Sequence, residues 1–420
     1  MTQTVLPGLF GGTFRAPASK SQAHRLLICA ALGREKTTLV CDTCSDDILA
    51  TSDCLRAMGA EITQAGSVFT VVPIFAKPRN SGLCKLKCRE SGSTLRFLLP
   101  VVGALGLTGD FLMEGRLPER PLHPFDDVLR AHGMTIQQEG TVLHVSGQLA
   151  PGAYELPGNI SSQYLSGLLF ALPLLGGESH LTITGPLQSA AYLTMTEHAV
   201  TASGIALSKT ERGFRIPGNQ GYHLPDGLAV EGDWSGAAFF LCAGALSAQG
   251  IRAENLTPGS LQADKAVCAL LSQFGADVIW ENQALLVRKN CLRAIRIDAG
   301  PIPDLIPAVA AVAAFAEGET TIFNAARLRL KESDRLHTVA ETINALGGQA
   351  QELEDSLIVT GRPQLSGGAA DSFGDHRIAM LAAILSAGCQ SAVTISGAEC
   401  TTKSYPNFWQ TLESLKGAAI

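Results

Sequence analysis

Apolar residues along this chain change their spacing in a fixed order, and that order recurs. A stretch with apolar residues at helical intervals closes on a glycine, and two short segments of alternating apolar residues follow it. The pattern reads Leu55-Arg-Ala-Met-Gly59-Ala-Glu-Ile, then Leu129-Arg-Ala-His-Gly133-Met-Thr-Ile. It returns as Thr201-Ala-Ser-Gly204-Ile-Ala-Leu, Ser272-Gln-Phe-Gly275-Ala-Asp-Val and Asn344-Ala-Leu-Gly347-Gly-Gln-Ala, with a truncated copy at Ser414-Leu-Lys-Gly417-Ala. These glycines lie 74, 71, 71, 72 and 70 residues apart. Each suits the left-handed residue that ends a helix. The segments after them alternate as half-buried strands do, as in Val68-Phe-Thr-Val-Val72 and Ala284-Leu-Leu-Val287.

A second, earlier helix is predicted in each copy, beginning near Ser21, Ser93, Ser161, Trp234, Asp304 and Asp375. The chain is therefore six copies of a strand-helix-strand-helix-strand-strand unit. Such a unit has an apolar sheet face and amphipathic helices, so copies must pack together to bury both. Six copies are compatible with one ring or with two groups of three.

One stretch departs from the general apolar character. Six of the nine residues from Arg327 to Arg335 are charged, in a chain that is 17% charged. Arg327, Arg329 and Lys331 alternate with leucines, which predicts the end of a half-buried strand. A helical pattern runs from Leu336 to Leu346, with Ser333 as its expected N-cap. Lys331, Glu332 and Arg335 would then be gathered in a strand-to-helix turn. A merely solvated charged loop is the competing reading.

Composition narrows the functional classes. The 420 residues are 46% hydrophobic and carry a formal net charge of -6. That balance disfavours general affinity for nucleic acid or anionic membrane. No signal peptide is read at the N-terminus, and the longest apolar run, Leu305 to Ala316, is too short to span a bilayer. Eleven cysteines are scattered along the chain. Cys41-x-x-Cys44 and Cys84-x-x-x-Cys88 are the close pairs, but no second knuckle or His pair supports zinc. Free thiols in a reducing cytoplasm are expected.

Unusual polar residues gather at the helix starts. The first helices open with Lys20-Ser21-x-x-x-Arg25, Ser91-Gly-Ser-Thr-Leu-Arg96, Ser161-Ser-Gln163, Gly232-Asp233-Trp-Ser235, Ile302-Pro-Asp304 and Gly374-Asp-His-Arg377. Pro118-Glu-Arg120-Pro, Ser189-x-x-Tyr192, Lys331-Glu332 and Thr402-Lys403-Ser are placed just before or at the second helices. Helix N-termini attract anions through free N–H groups and the positive end of the dipole. Capping alone accounts for the serines. It does not account for Lys20, Arg25, Arg120, Lys331, Arg335, Arg377 and Lys403, because cations are disfavoured there unless an anion offsets them. Asp304 and Glu332 stand among these cations and suit general acid-base work, although Asp304 also reads as an N-cap before Leu305. Asp375-His376 reads as structural rather than metal-binding. The pattern points to small, multiply anionic substrates and to acid-base chemistry with neither metal nor cofactor.

Taken together, the motifs resemble the 3-phosphoshikimate 1-carboxyvinyltransferase family. Those that carry the resemblance are Ser19-Lys-Ser-x-x-x-Arg25, Ser91-Gly-Ser-Thr-Leu-Arg96, Leu117-x-Glu-Arg-Pro121, Ser161-Ser-Gln163, Glu231-Gly-Asp233, Ile302-Pro-Asp304, Leu330-Lys-Glu-Ser-Asp-Arg335, Asp375-His-Arg377 and Cys400-Thr-x-Lys403, in that order. The resemblance implies a two-lobed inside-out α/β barrel with three repeats per lobe. One lobe is expected to span 19–230 and the other 1–18 plus 231–420, with a hinge near 13–19 and 229–232 that closes on the substrates. It implies transfer of the enolpyruvyl group of phosphoenolpyruvate to the 5-hydroxyl of shikimate 3-phosphate, with loss of phosphate through a tetrahedral adduct.

The resemblance also assigns roles. Asp304 is matched to the group on the 5-hydroxyl, Glu332 to the donor for the methylene carbon, and Lys20 to a charge-stabilising position between both substrates. Gly92, Arg120, Arg335, Arg377 and Lys403 would hold phosphoenolpyruvate. Ser161, Ser162, Ser189 and Lys331 would hold the shikimate phosphate, Ser21 and Arg25 its carboxylate, and Tyr192 would line the ring. Gln163 would reach both ligands. The chain departs from the family at Arg327, where many members carry Asn, and at Glu90-Ser91, where Asn-Ala is common. A monomer is expected. Two rivals are the related transferase acting on UDP-N-acetylglucosamine and a non-catalytic clamp. The former uses a loop cysteine that Glu114 to Pro124 lacks, and the latter would spread its cations over a surface.

Overall fold

Five repeat glycines take the left-handed conformation: φ is 113° at Gly59, 103° at Gly133, 81° at Gly204, 98° at Gly275 and 86° at Gly347. A residue with a Cβ is strained there, so glycine is what lets each helix stop and the chain turn into its strands. In four cases the amide after the glycine bonds back to a carbonyl one turn inside the helix: Ala60 to Leu55, Ile205 to Val200, Ala276 to Leu271 and Gly348 to Ile343. The structure is a computed structural model that describes residues 1–76 and 82–416. Gly417 lies outside the described residues.

Helices come in pairs. They are α1 (Lys20–Ala31) and α2 (Asp46–Ala57), α3 (Gly92–Ala104) and α4 (Phe125–Ala131), α5 (Ser162–Ala171) and α6 (Ala190–Ala202). Then follow α7 (Trp234–Ala245) and α8 (Val267–Phe274), α9 (Ile306–Ala313) and α10 (Arg335–Ala345), α11 (His376–Leu385) and α12 (Phe408–Ser414). Five sheets share one plan, a parallel pair of strands followed by an antiparallel hairpin, and in three of them the first helix joins the two parallel strands. For example, Cys84–Arg89 pairs in parallel with Gly109–Met113, which pairs antiparallel with Val142–Gly147, which pairs with Met134–Glu139.

The chain divides into two compact units, Lys20–Val230 and Met1–Ser19 with Glu231–Ile420. Each holds three sheets, and strands from distant sequence complete them. In the first unit, Leu228–Ala229 pairs in parallel with Thr37–Val40. In the second, Gly12–Arg15 pairs with Ile251–Glu254. Thr2–Val5 pairs with Val393–Ser396 in a sheet that has three strands among the described residues.

Helices fill the interior of each unit, which is the inside-out arrangement. α9 and α11 are buried at every residue, and α7 at all but one. In the first unit Phe97 of α3 bridges His24 of α1 (ring centroids 6.3 Å) and Phe170 of α5 (5.6 Å). Gly167 lets α5 press on α3, since a Cβ there would lie 2.3 Å from the Arg96 carbonyl oxygen. No helix among the described residues is long and apolar enough to cross a membrane.

Three local expectations are corrected. The alternation at 327–331 is not a strand: Ala326–Leu330 is a 3₁₀ turn in which Leu328 is buried and Leu330 is 52% exposed. The N-cap of α10 is Asp334, which accepts from the His337 amide, because the Ser333 hydroxyl is engaged by Asp375 and Thr338. Asp304 does not cap α9, whose N-cap position is Leu305.

Candidate active site

In the unit Lys20–Val230, the starts of α1, α3 and α5 carry the motif residues. Lys20 is the first residue of α1, and its Nζ donates to Asp47 Oδ2 at 2.9 Å. Asp47, 5% exposed in the first turn of α2, was not singled out in the sequence. No local pattern marks it as the partner of a lysine 27 residues earlier.

Arg25 is buried beneath this start. Its Nε donates to Thr196 Oγ1 at 2.8 Å, its Nη1 to the Ser21 carbonyl at 2.7 Å and its Nη2 to the Tyr192 carbonyl at 2.8 Å. It thus ties α1 to α6 and fixes Ser21 and Tyr192 through their backbones. Burial pulls the Arg25 pKa down to about 10, well above neutrality.

Gly92 begins α3, capped by Ser91, whose Oγ accepts from the Thr94 amide at 3.3 Å. A Cβ built on Gly92 would lie 2.5 Å from Arg96 Nη1 and 2.8 Å from Arg120 Nη1. Two guanidinium groups therefore crowd one helix start, an arrangement that favours an anion. Arg96 stands in a motif without having been given a role, yet it is 3% exposed and its Nη1 donates to Gln163 Oε1 at 3.3 Å. Gln163 Nε2 donates to Ser93 Oγ at 3.0 Å, joining α5 to α3. Ser161 caps α5 by accepting from the Gln163 amide at 3.3 Å, and Ser162 follows it, 5% exposed. Ser189, buried with φ 54°, is the N-cap residue of α6. At the departure Glu90-Ser91, Ser91 supplies the cap, and the Glu90 carboxylate packs where a Cβ on Gly115 would stand.

Arg120 is not at an α-helix start as expected. It follows the 3₁₀ turn Leu117–Glu119, and α4 opens at Phe125.

In the other unit, the cluster is organised by Arg335, whose side chain is 1% exposed. Its Nη1 donates to Asp304 Oδ1 at 2.8 Å, its Nη2 to Glu332 Oε2 at 2.8 Å and its Nε to Asp375 Oδ2 at 2.8 Å. A further bond joins Nη2 to Asp375 Oδ1 at 3.1 Å. Lys331 Nζ lies 3.1 Å from Asp304 Oδ1, and Lys403 Nζ 3.9 Å from Glu332 Oε1. Arg377 Nη1 donates to the Asp304 carbonyl at 2.7 Å. Asp304, Lys331, Glu332, Arg335, Arg377 and Lys403 are thus brought into one group. Lys403 ends the 3₁₀ segment Ala398–Lys403 rather than opening α12.

Asp375, fully buried, is the residue the sequence reading undervalued. It caps α11 through the Arg377 amide at 2.9 Å and accepts from Ser333 Oγ at 3.0 Å. Its Asp-His-Arg motif gave a signal for a helix start, but not for an ion pair with a side chain 40 residues away.

Electrostatics follow from this geometry. Burial alone would push the Asp304 carboxyl up, but Lys331, Arg377 and Arg335 together hold it well below the usual carboxylate range. Burial likewise opposes ionisation of Asp375, and Arg335 overrides it downward. Burial pulls the Lys331 ammonium down against the attraction of Asp304. Burial works against charge on Arg335 too, yet Asp375, Glu332 and Asp304 raise its pKa. Nearby Asp264 has fewer partners: burial pushes it up to about 6, with Ser235 as its hydrogen-bond donor.

The family model described as EPSP synthase (3-phosphoshikimate 1-carboxyvinyltransferase) matches residues 7–412. The 3-phosphoshikimate 1-carboxyvinyltransferase of Clostridium kluyveri is 38% identical over 420 residues, covering 99% of this chain and 97% of the relative. That of Clostridium acetobutylicum is 40% identical over 418 residues, covering 98% and 97%. The structure of EPSP synthase from Acinetobacter baumannii matches with a TM-score of 0.82 at 27% identity, covering 99% of this chain and 98% of that one. The enolpyruvyl transferase NikO from Streptomyces tendae matches in fold, with a TM-score of 0.80 at 18% identity.

Proposed function

The chain belongs to the EPSP synthase (3-phosphoshikimate 1-carboxyvinyltransferase) family and transfers the enolpyruvyl group of phosphoenolpyruvate to shikimate 3-phosphate, and we propose that Asp304 and Glu332 move the protons of that transfer. The reaction belongs to the shikimate route to aromatic amino acids. Sequence readings as a UDP-N-acetylglucosamine transferase or a non-catalytic clamp are not favoured.

The observation that carries the proposal is the Arg335 centre, which holds two acids of different surroundings side by side. In the first step the 5-hydroxyl oxygen attacks the substituted carbon of phosphoenolpyruvate and its proton passes to Asp304. The Glu332 proton goes to the methylene carbon, giving a methyl group and a tetrahedral adduct. In the second step the carbon–oxygen bond to phosphate breaks, Glu332 recovers a proton from the methyl group, and Asp304 returns its proton to the leaving phosphate. Each acid ends as it began.

A carboxylate held by three cations is a weak base. Substrate anions that pair with Lys331 and Arg377 draw those charges away from Asp304 and raise its proton affinity as the complex forms. Lys20 steadies the developing charge.

Gly92, Arg120, Gln163, Arg377, Lys403 and Lys20 form the phosphoenolpyruvate set, with Arg335 contributing charge while it holds the acids in place. Forked guanidinium groups suit its carboxylate and phosphate. Ser161, Ser162, Ser189 and Lys331 hold the shikimate phosphate, Gln163 reaches both ligands, and Ser21, Arg25, Lys20, Asp304 and Tyr192 hold the rest of shikimate 3-phosphate. The starts of α5 and α6 support this by offering N–H groups and hydroxyls. The reading extends to a cytoplasmic monomer; support for the compartment comes from eleven free cysteines, most of them buried.

Glu332→Ala tests the proposal. Phosphate release on mixing both substrates should be abolished, while calorimetry still detects both binding. Turnover equal to wild type would remove Glu332 from the mechanism.

A further inference from the structure

A buried hydrogen-bonded chain that the mechanism leaves unused lies beneath α3. Ser91, Thr94, Thr51 and His24 are all 0% exposed. Thr94 Oγ1 donates to Ser91 Oγ at 2.8 Å. With its one proton spent there, Thr94 must accept from Thr51 Oγ1, 2.7 Å away. Thr51 has then spent its own proton, so it must accept from His24 Nδ1 at 2.6 Å. Direction is therefore fixed from one end to the other: His24 Nδ1–H to Thr51 to Thr94 to Ser91. Only the Nδ1–H tautomer completes it, and that leaves His24 Nε2 as a buried atom without a partner.

Burying an unsatisfied ring nitrogen costs free energy, and three hydroxyls in a helical core add conformational cost. An apolar set would fill this space with less penalty, so the chain calls for a positional explanation. His24 belongs to α1, four residues after Lys20, and its ring meets Phe97 of α3 edge-on. Thr51 belongs to α2, in the same helix as Asp47, the partner of Lys20. At the far end Ser91 is covalently bonded to Gly92, where Arg96 and Arg120 converge.

We infer that the chain His24–Thr51–Thr94–Ser91 is a positioning device that locks the start of α3, and with it the Gly92 backbone, at the distance from Arg120 that phosphoenolpyruvate requires. This rests on the reading of Gly92 and Arg120 as part of the phosphoenolpyruvate site. Burial supports the role by pushing the His24 pKa down to about 3 against the pull of Asp47, so the ring stays neutral and the chain keeps one polarity at working pH. His24, Thr51 and Thr94 are positioning residues: they act on the ligand through Ser91 and Gly92.

Thr51→Val removes the central hydroxyl at nearly constant shape. The KM for phosphoenolpyruvate should rise about fivefold to tenfold, the loss expected when one hydrogen bond's worth of positioning disappears. The KM for shikimate 3-phosphate and kcat should stay within about twofold, because the hydrogen-bonded chain ends at Ser91 and Gly92, which the reading assigns to phosphoenolpyruvate alone. Thr51→Ser, which restores the hydroxyl, should recover the wild-type value, and Thr94→Val should reproduce the split if Thr51→Val does not fold. A Thr51→Val enzyme with unchanged KM for phosphoenolpyruvate would overturn the inference. So would equal losses in all three constants that Thr51→Ser does not repair. Arg120→Ala separates the two levels: if it raises that KM and Thr51→Val does not, the positioning role fails alone. If Arg120→Ala leaves it unchanged, the underlying site assignment fails and takes the inference with it.

Discussion

Replacing Arg335 with methionine should be among the most damaging single changes in its unit, and the damage should depend on pH. The guanidinium makes four bonds of 2.8–3.1 Å to Asp304, Glu332 and Asp375. At about 1.5–3 kcal/mol for each charge-assisted bond, a naive sum reaches roughly 6–12 kcal/mol. That sum overcounts, because orphaned acids can take up protons and admit water. Breaking a buried pair by deleting one partner typically costs about 3–5 kcal/mol, and this is the expected loss at pH 8.

The sign of the pH effect follows from linkage. In the wild type Asp304 and Asp375 are depressed, so they contribute stability above the unfolded carboxyl pKa and lose it as pH falls through their folded values. In the variant burial is no longer opposed by Arg335 at Asp375, so that carboxyl rises above its unfolded value. The gap between the two proteins should therefore be small near pH 4 and widen with rising pH, by up to about 1.4 kcal/mol per pH unit for each proton in difference. Thermal unfolding followed by calorimetry at pH 5 and pH 8 measures it. The affected transition should drop by roughly 6–20 °C at pH 8 and clearly less at pH 5. Equal midpoints at both pH values, or a larger gap at pH 5, would refute the reasoning.

Two other outcomes follow from single positions. Gly92→Ala places a methyl group 2.5 Å from Arg96 Nη1 and 2.8 Å from Arg120 Nη1, so the KM for phosphoenolpyruvate should rise about tenfold or more in steady-state assays, with the thermal midpoint nearly unchanged. Asp264 has its pKa raised from 3.8 to about 6 by burial; its stabilising contribution is full below pH 4 and is lost as pH rises through 6, a change on the order of 3 kcal/mol. Asp264→Asn should flatten that part of the stability profile, read as urea midpoints between pH 4 and pH 7.

The repeat could be read from sequence because its markers are local. A glycine that ends a helix and an alternating strand each report on their own few residues, and the positive φ values at Gly59 and Gly275 are the physical cause of the pattern. The cations at Lys20, Arg335 and Arg377 were visible for the same reason. What failed was whatever depended on partners distant in the chain. Residues 326–330 alternate as a strand would, yet Arg329 is drawn to Asp334, Glu352 and the Leu353 carbonyl, and the segment winds into a 3₁₀ turn. Ser333 looks like a cap until Asp375 claims its hydroxyl. Asp47 and Asp375, which orient Lys20 and Arg335, carry no local mark of that work because their partners lie 27 and 40 residues away.

Running the reaction in heavy water tests the addition–elimination account most directly. If Glu332, whose side chain is 16% exposed, gives a solvent-exchanged proton to the methylene carbon and later takes one back, deuterium must appear in the vinyl group of the product. A product formed with release of phosphate but with no deuterium in that group would contradict the account.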